Sequence, residues 1–244
     1  MQIQIYADPK ELARGAAQEF VARGVEAVAQ GESFTVALSG GSTPKLLYQL
    51  LADGDEPFRD RVPWRETHFF WSDERNVPPD HPDSNYRMTN EAMLAHVPVP
   101  PGNIHRIHGE NPDAAEAASE YEGHLIEITG DTLPRLDLIL LGLGPDGHTA
   151  SIFPGSEVLH ETQHLVAAPW VAKLNTYRIT MTLPLLNNAA SILFLVSGAE
   201  KAEIVREVLE GPKQYPAQYV KPTNGELLWL LDKDSAKDLA RGHQ

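Results

Sequence analysis

The stretch Asp137-Leu138-Ile139-Leu140-Leu141-Gly142-Leu143-Gly144-Pro145-Asp146-Gly147-His148-Thr149-Ala150-Ser151-Ile152-Phe153-Pro154-Gly155 carries the reading of the fold. The run from Leu136 to Leu141 has strand length and is apolar without alternation, the pattern of a strand covered on both faces. It stops at three glycines, a proline and a polar cluster, so the chain leaves the sheet through a tight loop. That loop puts Asp146 and His148 at the carboxyl end of a central strand, where open α/β sheets bind their ligands. Of ten histidines in the chain, His148 is the one placed for chemistry.

Flanking segments continue the pattern. Apolar residues at three- and four-residue steps predict a long helix over residues 9–30, with further helices over 44–52, 85–95, 113–128 and 199–209. Strands are predicted over 3–6, 34–38, 67–71, 104–107, 165–168, 177–182, 191–196 and 226–231. Strands alternating with helices favour a largely parallel sheet with helices on both faces, a modified Rossmann-like α/β fold. No repeat or linker divides the chain, so one domain over residues 1–244 is expected.

Bulk composition narrows the partners. Twenty Lys and Arg against 34 Asp and Glu give a net charge of −14. Such a surface repels nucleic acid and anionic membranes, and an anionic substrate would need a local basic cluster. No apolar run reaches transmembrane length. With no secretory leader and no cysteine, a cytoplasmic location is the expectation. Disulfides and thiolate metal sites are excluded.

Two further loops leave predicted strands at the same edge. Phe34 to Leu38 runs into Ser39-Gly40-Gly41-Ser42-Thr43-Pro44 and then into a helix. Glycines let backbone N–H groups approach a ligand, and the helix N-terminus adds positive potential, so the loop reads as an anion cradle. Ser42 or Thr43 is placed to cap the helix, and Pro44 suits its first turn. A plain strand-to-helix turn has the same sequence. Trp71-Ser72-Asp73-Glu74-Arg75 brings Asp73 and Arg75 to the end of the strand over 67–71. Arg75, Arg87, Lys173 and Arg178 are the candidate basic partners for an anion in this crevice. In the histidine loop, Asp146 or a backbone carbonyl can hold one imidazole nitrogen, leaving the other to take a proton from water.

Two motif matches are rejected. Gly142-Leu143-Gly144-Pro145-Asp146-Gly147 satisfies G-x-G-x-x-G, but Pro154-Gly155 interrupts the helix a dinucleotide site needs, and residues 162–172 hold no acid for the ribose. His160-Glu161-Thr162-Gln163-His164 matches H-E-x-x-H, yet a strand over 165–168 follows at once where a zinc hydrolase needs a long helix. His105 and His108 read as structural.

Taken together, these blocks resemble the glucosamine-6-phosphate isomerase/6-phosphogluconolactonase family. The resemblance rests on Ala37 to Pro44, Trp71 to Arg75, Asp83-Ser84-Asn85-Tyr86-Arg87, Gly142 to Gly155, Arg178 to Pro184 and Gly225 to Trp229, in the family's order along nearly the whole chain. It implies a fold related to glucosamine-6-phosphate deaminase and ribose-5-phosphate isomerase. It also implies hydrolysis of 6-phospho-D-glucono-1,5-lactone in the oxidative pentose phosphate pathway, without metal or nucleotide cofactor. The partner so implied is a small sugar-phosphate lactone; no nucleic acid, membrane or obligate protein partner is expected. By motif, His148 resembles the general base, and Arg75 with Ser39, Gly40, Gly41 and Ser42 resemble substrate-binding groups. Asp146 would orient His148, Arg75 or backbone N–H groups would meet the oxyanion, and Arg87, Lys173 and Arg178 would clamp the phosphate. The segment Lys173-Leu174-Asn175-Thr176-Tyr177 lacks the prolines the family often carries after the lysine. Two rivals remain on this scaffold. A deaminase carries a glutamate five residues after the loop histidine, where this chain has Phe153; a sugar-phosphate-sensing regulator needs a helix-turn-helix, for which a strand from Ile3 leaves no room.

Overall fold

Six parallel strands form the main sheet of the computed structural model, which describes residues 1–240; the last four residues of the expected domain, 241–244, lie outside the described residues. Along the chain the elements are β1 (Gln2–Tyr6), α1 (Pro9–Ala29), β2 (Phe34–Leu38), α2 (Ser42–Ala52), β3 (Thr67–Trp71), β4 (Asp73–Arg75), α3 (Asn85–Ala92) and α4 (Ala114–Thr129). There follow β5 (Leu138–Leu141), β6 (Val166–Ala167), β7 (Trp170–Val171), β8 (Thr176–Met181), α5 (Leu183–Leu186), β9 (Ser191–Val196), α6 (Ala202–Glu210) and β10 (Glu226–Asp232). The parallel sheet has the order β1-β10-β9-β5-β2-β3. A small antiparallel sheet, β4-β8-β6 with β7 on β8, stands beside it.

Apolar continuity decides the middle of the sheet. Every residue of β5 and β9 is buried, as two-sided cover requires. Phe194 of β9 stacks on Trp229 of β10 with centroids 3.9 Å apart. The buried stripe Leu12, Ala16, Phe20 of α1 meets the sheet, with Phe20 edge-on to Phe34 at 5.3 Å. Asp8 caps that helix, its carboxylate accepting from the N–H groups of Lys10 and Glu11, both at 2.9 Å. From β5 the strand order runs one way to β2 and β3 and the other way to β9 and β10. The reversal opens a crevice outside the carboxyl ends of these strands. Among the described residues no helix is long and apolar enough to cross a membrane.

The main departures of the structure from the sequence reading are these. Asp73 to Arg75 forms strand β4 rather than a loop, because it pairs with β8, Arg75 opposite Arg178. The expected strand over 104–107 is a single bridge, Ile104 to Phe69, entered through the 3₁₀ turn Pro101–Asn103. Strand β5 starts at Leu138 rather than Leu136, since the Asp137 carboxylate accepts from the backbone N–H and the hydroxyl of Thr35, both at 2.7 Å. Lys201 and its two predecessors form a 3₁₀ turn before α6. Finally, neither Ser42 nor Thr43 caps α2: Gly41 takes the cap position at φ 111°, a backbone conformation that favours glycine.

The structural reading of His105 corresponds to a stack of imidazoles beside β3. His105 Nε2 is hydrogen-bonded to His68 Nδ1 at 2.9 Å, and its Nδ1 to His124 Nε2 at 2.8 Å, with Phe70 packed on the ring at 4.6 Å. His108, by contrast, stands exposed, 3.7 Å from Glu120. Burial, with His124 and His68 adding repulsion, pushes the His105 pKa down to about 4. In the unfolded chain a histidine titrates near 6.5, so below that pH the unfolded state takes up a proton that the fold refuses. Stability is therefore complete above pH 6.5 and falls as the pH drops toward 4, by roughly 2–3 kcal/mol from this ring. Urea melts at pH 7.5 and 5 should show that loss, and His105→Gln should flatten it.

Candidate active site

The glycine loop is fixed from below by a buried tyrosine. Tyr48 on α2 donates its hydroxyl to Ser39 O at 2.8 Å and accepts from Ser39 N–H at 3.0 Å; burial pushes its pKa up, so it stays a donor. Thr43 at the start of α2 is hydrogen-bonded to Ser197 at 2.8 Å, which ties the loop after β2 to the end of β9. Ser39 Oγ is buried and has no partner among the described residues.

The histidine loop after β5 is a closed turn. Gly144 N–H donates to His148 O at 2.8 Å, and Thr149 donates its hydroxyl to Gly142 O at 2.9 Å. His148 Nδ1 lies 2.5 Å from Asp146 Oδ1, which fixes the tautomer: Nδ1 carries the proton to the carboxylate and Nε2 keeps a free lone pair. Phe153 packs on the imidazole at 4.3 Å. Lys173, on the turn between β7 and β8, contacts the other oxygen of Asp146. Burial opposes ionisation of Asp146, but the hydrogen bonds from Lys173 and His148 outweigh it and hold its pKa at about 2. Ala150, two residues past His148, adopts φ 46°, a left-handed conformation costing a non-glycine residue roughly 1–2 kcal/mol. It is held there because Ser151 N–H donates to Thr180 Oγ1 and Ser151 Oγ to Asp73 Oδ2, at 3.1 and 2.6 Å.

Strands β4 and β8 bring in the guanidiniums. Arg75 donates to Asp83 O at 2.5 Å. Glu74 points the other way: its buried carboxylate accepts from Arg75, Asn85 and Tyr86 N–H and from Ser84 Oγ, anchoring the start of α3. Burial raises the Glu74 pKa against those hydrogen bonds. Arg178, opposite Arg75, has its pKa lowered by burial first and by the neighbouring Arg75 second. The carboxylate of Asp73 is occupied by Ser151 and Asn85.

These loops enclose one crevice of about 480 Å³, lined by Ser39 to Pro44, Asp73, Arg75, His148, Lys173 and Arg178. Arg87 does not line it. Its Nε binds Glu91 at 2.6 Å and its other nitrogen binds Asp80 O at 2.8 Å, because its place on α3 turns it along the helix toward Glu91. Lys201 enters instead, donating to Leu143 O at 2.8 Å. Sequence reading passed over Lys201, although its position after β9 at the carboxyl edge was the available signal. Ser197, Asn85 and Ser151 were missed as well, because each acts through a partner distant in sequence. The segment His160 to His164 begins at the end of the 3₁₀ turn Glu157–His160, not within a long helix.

A family model described as Glucosamine-6-phosphate isomerases/6-phosphogluconolactonase matches residues 7–229. The chain belongs to this family. The 6-phosphogluconolactonase of Synechocystis sp. is 43% identical over 220 residues, covering 88% of each chain. Among solved structures, a 6-phosphogluconolactonase from Trypanosoma brucei is 31% identical with a TM-score of 0.85 over 98% of both chains. A monomeric glucosamine-6-phosphate deaminase, 22% identical, shares the fold at a TM-score of 0.83, covering 98% of this chain and 100% of that one.

Close approach makes Gly144 indispensable to this family member's histidine loop, because a β-carbon there would overlap the His148 imidazole at Nδ1. Gly144→Ala should therefore keep the circular dichroism of the wild type while nitrogen NMR of the imidazole loses the signature of an Nδ1–H bonded to carboxylate.

Proposed function

We propose that the chain hydrolyses 6-phospho-D-glucono-1,5-lactone to 6-phospho-D-gluconate, as the names of its relatives indicate for those proteins. The observation that carries this reading is the common crevice of His148 and the Ser39 to Ser42 loop. An ester carbonyl and a phosphate at opposite ends of one small sugar need a general base and an anion cradle facing the same space.

The chemistry follows from that arrangement. With Nδ1 bound to Asp146, His148 Nε2 takes a proton from water, and the hydroxide so formed attacks C1 of the lactone. Negative charge collects on the carbonyl oxygen, where Arg75 or the N–H groups of the glycine loop supply the compensating dipole. When the C1–ring oxygen bond breaks, the imidazolium returns its proton to the departing ring oxygen, and the base is regenerated. The phosphate is assigned to the glycine loop with Lys201 and Arg178. Lys201 is held at its near side by a backbone carbonyl rather than a carboxylate, so its charge stays available to a ligand. The unpartnered Ser39 hydroxyl offers a further donor. Holding the phosphate positions C1 against the activated water, which lowers the entropic part of the barrier.

Phe153 supports the hydrolase over a deaminase. The resemblance places a glutamate there in deaminases, whereas here a hydrocarbon ring lies on His148 at 4.3 Å and has no proton to exchange.

Freshly generated lactone, assayed against a blank for its spontaneous hydrolysis, tests the reading. His148→Ala should lose about 10²–10⁴-fold in kcat, and near-normal turnover by a folded variant would reject the base. Lys201→Met and Arg178→Met should each raise KM for the phosphorylated lactone by roughly tenfold or more, with little effect on δ-gluconolactone. Equal effects on both substrates would remove these residues from the phosphate site.

A further inference from the structure

The geometry points to Lys173 as a positioning residue for the general base rather than a phosphate ligand: it holds Asp146 by the oxygen His148 does not use and so shares the carboxylate that orients the imidazole. This inference rests on the hydrolase reading above and gives that reading a control on its own base.

Asp146 bridges two cationic side chains. Its Oδ1 accepts from His148 and its Oδ2 from Lys173, which arrives from a hairpin 27 residues further along the chain. The ammonium also lies 4.3 Å from the centre of the Phe153 ring, the ring that packs on His148. Lys173 thus touches both residues that confine the imidazole. Its backbone is placed by the 3₁₀ turn Ala172–Leu174, closed by Asn175 at φ 51°. Asparagine tolerates that conformation better than most residues.

The electrostatic problem at such a site is specific. A carboxylate beside an imidazole fixes the tautomer, but it also favours the protonated ring, which cannot accept a proton. A second cation on the same carboxylate offsets that pull while leaving the Nδ1 hydrogen bond intact. The effect is moderate, because half of the Lys173 side chain is exposed to solvent. Other charged or titratable groups face the loop as well: Tyr215 packs against Gly147, and Arg75, Arg178, Lys201 and Asp73 share the crevice. Of these, Arg75 is held at Asp83, Lys201 at Leu143 and Asp73 at Ser151, whereas Lys173 is in contact with Asp146 itself.

The alternative is that Lys173 clamps phosphate, since it also lines the crevice. The two roles differ in pH dependence and in substrate dependence. The test measures kcat and KM from pH 5 to 8.5 on phosphorylated and unphosphorylated lactone, for wild type, Lys173→Met, Lys173→Arg, Asp146→Asn and the double variant Asp146→Asn/Lys173→Met. In Lys173→Met the acid limb of kcat/KM should move to higher pH by roughly 0.5–1 unit on both substrates, and Lys173→Arg should restore it. In the Asp146→Asn background, Lys173→Met should produce no further shift. An NMR titration of the His148 imidazole should move in parallel, and it reads the effect even in a variant too slow to assay. An unmoved limb with a KM increase confined to the phosphorylated substrate would overturn the proposal, as would a shift that adds in full to that of Asp146→Asn. A uniform fall in kcat with an unmoved limb would leave Lys173 only a structural role and would also overturn it. Failure of the hydrolase reading looks different, because the wild type itself would then turn over neither lactone above its spontaneous blank, which no outcome at Lys173 can mimic.

Discussion

One buried carboxylate holds the working parts of this molecule together. Asp73 accepts from Ser151 of the histidine loop at 2.6 Å and from Asn85 at the start of α3 at 3.3 Å. Asn85 in turn sits against Gly40, where an added β-carbon would overlap its side-chain oxygen. Three segments that leave three different strands are thereby locked to one another through a single side chain. The cost of removing Asp73 from water is offset by those two donors, as any buried charge requires. Without Asp73, Ser151 would lose its acceptor, the strained backbone at Ala150 its restraint, and the imidazole its fixed distance from the glycine loop.

Charge is arranged against the background. The chain as a whole carries −14, yet Arg75, Arg178, Lys173 and Lys201 all border one crevice. Two of these cations rest on backbone carbonyls, Arg75 on that of Asp83 and Lys201 on that of Leu143, so they are oriented without being neutralised. Acidic residues elsewhere repel stray polyanions, while the crevice stays locally attractive to a small anion at distances within a Debye length.

The legible part of the fold was the part written in local pattern. Strands β2, β3 and β9 have the bounds their apolar runs suggest, because two-sided burial leaves a continuous signature. The small sheet was not legible. Asp73 to Arg75 is charged throughout, and it is a strand only because β8, a hundred residues on, supplies its partner. The site was split in the same way. His148, Asp146 and the glycine loop announce themselves by spacing and by their place at a strand end. Arg87 was named from its motif, which gives the residue but not its direction, and on α3 its guanidinium donates to Glu91 and to the Asp80 carbonyl outside the crevice. Lys201 was overlooked because a lone lysine beside a helix start looks like an ordinary solvated charge.

The pairing of β1 with β10, Gln2 opposite Leu228 through Tyr6 opposite Asp232, has a consequence during biosynthesis. Strand β1 docks on a strand that lies far along the chain, so this hydrogen-bonding edge gains its native neighbour only after the residues up to Asp232 have been made. At typical elongation rates that interval is on the order of ten seconds or more. Over that period the edge carrying Ile3 and Ile5 has no strand of its own chain to pair with and is open to strands of other chains.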